Sequence, residues 1–478
     1  QGGGVLPECQ HLIIDEAHNL EEEATQQFGF VVPQGQLAEE LDSLGRLLDQ
    51  VRFLSRAQRS QAPREAAEQA VARVEELLPR ARDAWGRLWG ALGTFMREHA
   101  QVSDDYPQLS IQPSTRAQPA WSDLEVAWED ADASLGELVR QVERLRQPLE
   151  AVAPQLAEQA QLLAAELDDW LQGLQELRER LKLVLVSPEE QQVYWASQDG
   201  SGDSLALHSA PLDVSPLLKE KLFGQKESVV LTSATLATAG GFAHLRQRLG
   251  LEEADELQVG SPFDYKQAAL LMVPSDMPSP DSPHYQPAVQ SLLLELALAL
   301  DGHTLALFTS HSALQAARRG IRDALHSRGI RVLAQGVDGN PRQLMEAFAR
   351  EPRAVLLGTS SFWEGVDLAG GLLRALVIAR LPFDVPTEPV FAARSAQYEE
   401  PFRQYALPQA ILRFRQGFGR LIRGKEDRGV VLVLDGRIIS RGYGAMFLRS
   451  IPPCTMKKVS WNAVTRLALE WLGRKSGE

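Results

Sequence analysis

Between residues 37 and 181 the apolar side chains recur at intervals of three and four positions in four separate series, and no other feature limits the fold of this chain as strongly. Leu37, Leu41, Leu44, Leu48 and Val51 form the first series, and Val74, Leu78, Ala81, Trp85, Leu88, Leu92 and Phe95 the second. Leu124, Trp128, Ala131, Leu135, Leu138, Val142, Leu145, Leu149 and Val152 form the third, and Leu163, Leu167, Trp170, Leu174, Leu177 and Leu181 the fourth. Such spacing gathers each series on one side of a helix, and an apolar stripe must be buried against another. Four long helices packed as a bundle or antiparallel coiled coil are therefore expected. Turns are expected at Pro63 and at Pro107, Pro113 and Pro119, which fall between the series. Trp85, Trp128 and Trp170 lie on the seams and read as core residues.

On either side of this block the texture changes. His11-Leu12-Ile13-Ile14 is an apolar run short enough for a buried strand and is closed by acidic residues. Beyond about residue 190, short β-branched and Leu-rich runs recur at Ser228–Thr232, Leu270–Val273, Thr304–Thr309, Ala354–Gly358, Leu373–Ala379 and Gly429–Leu434. Helical stretches at Ala288–Leu300, Ser312–Ser327 and Pro341–Arg350 separate several of them. That alternation predicts parallel sheets covered by helices. The helical block thus interrupts an α/β protein, and Pro274–Pro283 reads as a linker or exposed loop. The 478 residues are too many for one core. No apolar run approaches the roughly 18–20 residues a bilayer span requires. Cys9 and Cys454 are the only cysteines, which suits a reducing cytoplasm. A net charge of −14 argues mildly against a surface coated in nucleic acid. It leaves room for a local basic groove, since phosphate contacts act within about 8–10 Å.

Several strand ends carry chemistry. Asp15-Glu16-Ala17-His18 follows the first strand, where one carboxylate can hold Mg²⁺ and a second can orient and deprotonate an attacking water. The bland alternative is an acidic turn before the acidic helix start Glu21-Glu22-Glu23. Leu231-Thr232-Ser233-Ala234-Thr235-Leu236 ends a strand in small hydroxyl residues that can link a nucleotide site to a moving neighbour, or be a plain turn. Gln416-Gly417-Phe418-Gly419-Arg420-Leu421-Ile422-Arg423 lies in the helical-looking stretch Ala410–Arg423, so Arg420 and Arg423, three apart, are expected to share a face. Paired glycines in a helix are costly without close packing or a ligand. Gly358-Thr359-Ser360-Ser361-Phe362-Trp363-Glu364-Gly365-Val366-Asp367 mixes hydroxyls, glycines and carboxylates after a strand. Thr359, Ser360 and Ser361 suit a nucleic-acid phosphate, Glu364 and Asp367 a bridge to nucleotide, and Trp363 either base stacking or the core. Leu307-Phe308-Thr309-Ser310-His311 offers Thr309 and Ser310 for phosphate contact.

In this order and spacing the segments resemble motifs II to VI of superfamily 2 helicases, most specifically the DinG/XPD branch, whose forms are DEAH, TSATL, an EGVD-containing motif V and QGFGRLIR. Ala210-Pro211-Leu212-Asp213-Val214-Ser215 and Ala379-Arg380-Leu381-Pro382-Phe383 look like bacterial DinG-type sequence. The resemblance implies an α/β fold of two RecA-like lobes, the first partial, with an inserted all-α arch. The implied boundaries are 1–32 and 186–245 for the first lobe, 33–185 for the arch and 246–478 for the second lobe. It implies ATP and Mg²⁺ as cofactors and single-stranded DNA, or DNA with a 5′ overhang, as partner. A cytoplasmic monomer moving 5′→3′, in DNA repair or replication, is the expectation. Asp15 and Glu16 become the metal and water residues, His18 a coupling residue, and Thr232, Ser233 and Thr235 a link between lobes. Gln416, Arg420 and Arg423 reach for the γ-phosphate, with Arg423 as arginine finger; Glu364, Gly365, Asp367 and Gly419 line the nucleotide.

No Gly-x-x-x-x-Gly-Lys-Ser/Thr loop accompanies these motifs. Gly419 to Gly424-Lys425 is followed by Glu426 and overlaps motif VI, so it is no phosphate loop. The start at Gln1 reads as a cut inside a longer protein, with any iron–sulfur ligands upstream, and the polypeptide alone is expected to be inactive. Two other readings stand beside this one: a non-catalytic nucleic-acid-binding or regulatory module, and a helical scaffold. The presence of both Glu16 and Arg423 counts against the first, since a purely binding role needs neither, and the α/β motifs count against the second.

Overall fold

The computed structural model describes residues 9–56, 61–102, 107–150, 156–199, 204–237, 241–351, 353–363 and 371–473. Its chain divides into two compact units, residues 1–24 with 213–478, and Thr25–Leu212. Along the chain, β1 (His11–Ile14) runs into a short turn and then α1 (Leu20–Gln27), where the inserted unit begins.

The inserted unit holds the four expected helices: α2 (Gln36–Arg56), α3 (Gln61–His99), α4 (Trp121–Glu143) and α5 (Ala157–Leu185). Helix α3 packs on α2 and α4, and α5 closes against both of those. The seam residues fill one continuous core, with Leu44, Leu124, Leu167 and Leu174 fully buried. Each such leucine contributes about 1.5–3 kcal/mol. Three tryptophans also pin helix to backbone: the indole N–H of Trp85 donates to Gln34 O (2.7 Å), that of Trp170 to Glu40 O (2.9 Å) and that of Trp121 to Leu185 O (3.2 Å). Pro63 lies within α3 and not in a turn, and Pro79 also sits inside that helix.

The expectation of an all-helical insertion over 33–185 is corrected. A five-stranded antiparallel sheet belongs to the same unit, in the order β2 (Phe30–Pro33), β6 (Leu205–Pro211), β5 (Gln192–Gln198), β4 (Pro107–Ser110), β3 (Gln101–Val102). Leu207, Ala196 and Tyr194 bury one face of it in the helical core. Residues 186–212, assigned from the sequence to the first lobe, are therefore part of the insertion.

In the other unit β1 pairs in parallel with β7 (Ser228–Leu231), in the register His11↔Ser228 to Ile14↔Leu231. Helix α6 (Ala243–Leu249) follows. The remainder forms an all-parallel seven-stranded sheet. Its strands are β8 (Ala269–Pro274), β9 (Thr304–Leu307), β10 (Arg331–Ala334), β11 (Ala354–Gly358), β12 (Ala375–Ile378), β13 (Gly429–Val433) and β14 (Thr455–Val459), ordered β10-β11-β9-β12-β13-β8-β14. Helices α7 (Tyr285–Ala299), α8 (His311–His326), α9 (Pro341–Arg350), α10 (Pro389–Ser395), α11 (Leu407–Phe418) and α12 (Val464–Gly473) belong to the same unit. Successive residues of each central strand enter opposite cores, such as Leu376 and Ile378 on one face and Ala375 and Val377 on the other. Burial on both faces explains why these strands read as continuous apolar runs.

Candidate functional site

At the end of β1 the backbone turns through Glu16, which adopts a left-handed conformation with φ 50°. A non-glycine residue held there costs on the order of 1–3 kcal/mol and persists only where its surroundings impose it. Three contacts do so. Asp15 Oδ1 accepts the Glu16 N–H (3.0 Å), the Ala17 N–H donates to Thr232 O (3.1 Å), and the Ser233 hydroxyl donates to Glu16 Oε2 (2.9 Å). The parallel β1–β7 register thus brings the acidic turn beside Thr232–Thr235.

Ser233 is the centre of this cluster. Its proton goes to Glu16, so its oxygen accepts from His18 Nδ1 (2.7 Å) and from the Thr235 N–H (3.3 Å). His18 consequently carries its hydrogen on Nδ1. Burial holds its pKa below the ordinary histidine value, with Arg420 adding to the depression and Glu16 and Asp15 opposing it. The neutral ring leaves Nε2 a buried acceptor with no partner among the described residues. Thr235 Oγ1 in turn accepts from Gln416 Nε2 (3.4 Å), and Gln416 Oε1 is buried without a partner among the described residues.

Helix α11 ends at Phe418, so the expected common helical face for Arg420 and Arg423 is corrected. Gly417 lies directly against the Trp363 ring, where a Cβ would come within 2.6 Å of it, and Gly419 caps the helix. Arg420 then donates from Nε and Nη2 to Trp363 O (3.3 and 2.9 Å), near enough to His18 to act on it electrostatically. Arg423 is exposed, and Asp427 Oδ2 accepts its N–H (2.8 Å). Arg415 ties α11 to Ala237 O (2.9 Å). Asp15, Glu16, His18, Ser233, Thr235, Gln416 and Arg420 therefore form one neighbourhood. Glu364, Gly365 and Asp367 lie outside the described residues.

A second cluster occupies the carboxyl ends of the adjacent strands β9, β11 and β10. Thr309 and Ser310 are half-buried, and the Ser310 hydroxyl caps α8 by accepting the Ala313 N–H (3.3 Å). Ser361 is exposed at the start of the short helix Ser360–Trp363, while Thr359 is only 3% exposed. Trp363, expected as base stacker or core residue, is core: it is 2% exposed and its indole N–H donates to Phe308 O (3.1 Å). Base stacking is thereby corrected, since neither ring face is open.

Sequence reasoning missed Gln335, which holds this second cluster together, and Glu21, which binds Arg248 and Arg394. Gln335-Gly336 at the end of an apolar run was the available signal for the first. Cys454 is half-buried, which pushes its thiol up to about 11 and makes it a poor thiolate ligand. Among the described residues no group of three or more His, Cys, Asp or Glu side chains could cage a metal, and no helix is long and apolar enough to cross a membrane.

A turn presenting two carboxylates, a hydroxyl link and an arginine-bearing helix end thus lie together on parallel α/β sheets. Residues 293–454 match the Helicase C-terminal domain family. The chain is 30% identical over 471 residues to the "3'-5' exonuclease DinG" of Bacillus subtilis (strain 168), covering 95% of this chain and 50% of that protein. It is 36% identical over 296 residues to the "ATP-dependent DNA helicase YoaA" of Escherichia coli (strain K12), covering 61% and 46%. A solved structure described as "XPD_Helicase" superposes with a TM-score of 0.51 at 14% identity, over 94% of this chain and 68% of the other. The chain is thus similar in sequence to DinG-type proteins and in fold to an XPD structure. It spans about half the length of the curated relatives it matches.

Proposed function

We propose that this chain supplies motifs II to VI of an ATP-driven DNA helicase motor, working in the cytoplasm as a monomer. In this reading it moves 5′→3′ on single-stranded DNA or DNA with a 5′ overhang, and serves DNA repair or replication. The observation that carries the reading is the run Glu16–Ser233–Thr235–Gln416, which joins the carboxylate end of β1 to α11 by hydrogen bonds. A purely binding module has no use for a strained glutamate wired in this way.

Asp15, exposed at a strand end, fits the hard oxygen set that Mg²⁺ takes alongside phosphate oxygens and water. The ion would neutralise charge on the phosphates. Glu16 orients and deprotonates the attacking water. Arg420 and Arg423 supply positive charge to the γ-phosphate, Gly419 lets the backbone approach the nucleotide, and Glu364, Gly365 and Asp367 complete its lining. His18, Thr232, Ser233 and Thr235 transmit the state of the nucleotide to α11. The phosphate loop that such hydrolysis needs is not in this sequence, so turnover belongs to a protein that provides one. Thr309, Ser310, Ser360 and Ser361 take the contacts to the DNA backbone in this reading.

The test is DNA-stimulated ATP hydrolysis by the native protein carrying Glu16→Gln. Turnover falls by about 10²-fold or more, as loss of a general base requires. Nucleotide affinity measured in the same samples stays within about twofold. Equal loss of binding and turnover would remove Glu16 from this role.

A further inference from the structure

The strand-end cluster contains a hydrogen-bond direction that can be read without seeing a hydrogen. Gln335, at the end of β10, accepts the Thr359 backbone N–H at 2.8 Å. A backbone N–H only donates, so the side-chain atom facing it is the carbonyl oxygen, and the amide cannot be the other way round. Its Nε2 therefore faces Ser361 Oγ at 2.7 Å and can only donate. Ser361 oxygen is thus the acceptor of that bond, and its own proton turns elsewhere, on a residue exposed to solvent. Thr359 is in the opposite state. Its hydroxyl donates to Gln335 Oε1 (3.0 Å), its oxygen faces His311 Nε2 (3.3 Å), and it is buried.

We propose that Gln335 is a positioning residue that presents Ser361, and not Thr359, as the hydroxyl donor to a phosphate oxygen of a bound polynucleotide strand. The inference rests on the nucleic-acid reading given above, and it reassigns the expected contact at Thr359. The ligand chemistry is an anionic backbone oxygen, which needs a donor. Ser361 is held with its oxygen occupied and its proton free, so it meets the strand without reorganising. Thr359 has no proton left to give, and instead fixes the amide that sets Ser361.

The experiment is anisotropy of a fluorescein-labelled oligothymidylate titrated with the chain, as parent, Ser361→Ala, Gln335→Met and the double variant. Each single change weakens binding about tenfold, the scale of one hydrogen bond to a charged group. The double variant binds no more weakly than either single one, because both remove the same bond. The salt dependence stays that of the parent, since a neutral hydroxyl releases no counterion. Thermal melting of all four proteins reads folding separately. Losses that add in the double variant, or a Ser361→Ala protein that binds like the parent, overturn the proposal while leaving the DNA reading in place. A parent chain that does not bind the oligonucleotide overturns both.

Discussion

Glu16 sits in a backbone conformation that side chains avoid, and the cost is met by contacts that hold a carboxylate at a strand end. Two buried imidazoles show how the same kind of setting is written in protons. His18 is kept neutral beside Glu16, and His208 in the inserted unit is kept neutral more strongly. His208 lies parallel to Trp195 with ring centroids 4.8 Å apart, and its Nε2 is 2.7 Å from Ser197 Oγ. Burial pushes its pKa down to about 4 from the ordinary 6.5. The folded chain therefore refuses a proton that the unfolded chain accepts. His208 contributes its full stability above 6.5, loses it as pH falls from 6.5 to about 4, and changes nothing further below that. Melting temperatures of the inserted unit, taken from neutral pH to about 4, should fall over that window. In His208→Gln the fall should be shallower; an unchanged profile would assign the acid sensitivity elsewhere.

At the scale of elements, one carboxylate joins three helices. Glu21 on α1 accepts from Arg248 of α6 and from Arg394 of α10 (2.9 Å), and all three side chains are largely buried. Arg248 also lies over the Tyr405 ring at 5.2 Å. Removing the carboxylate strands two guanidiniums away from water, so Glu21→Gln should cost about 3–5 kcal/mol. Denaturant unfolding of this unit measures it, and a loss below about 1 kcal/mol would mean that water reaches the arginines. Glu21 looked like one of three acidic residues opening a helix, because its partners are hundreds of positions away. The helical seams and strands such as Ala354–Gly358 were legible because their patterns are local. Strand β10 was not, since Arg331–Ala334 is short and starts on a charge, and β14 carries Lys457 and Lys458 at the sheet edge. The end of α11 was misjudged because, past its cap at Gly419, Arg420 is held by Trp363 O, a contact that no window along the sequence contains. The motif residues at the acidic turn were legible; their connection through Ser233 depends on the β1–β7 register and was not.

For the molecule as a whole, the inserted unit carries its own core, drawn entirely from residues between Val32 and Leu207. Residues 25–212 produced alone should therefore give a strongly helical circular dichroism spectrum and one cooperative melt. A broad, non-cooperative transition would show that the rest of the chain is needed to fold it. The two ends of that unit meet in β2 and β6, paired antiparallel from Phe30↔Ser209 to Pro33↔Ala206. Gly29 fits there because a Cβ would lie 2.4 Å from Ser209 O. The polypeptide thus departs and returns through a single doorway only one strand spacing wide. Whatever is gained or lost beyond that doorway, a helix lengthened or a hairpin dropped, leaves the spacing of Asp15 and Ser233 untouched, so the outer architecture is free to diversify while the chemistry stays in register.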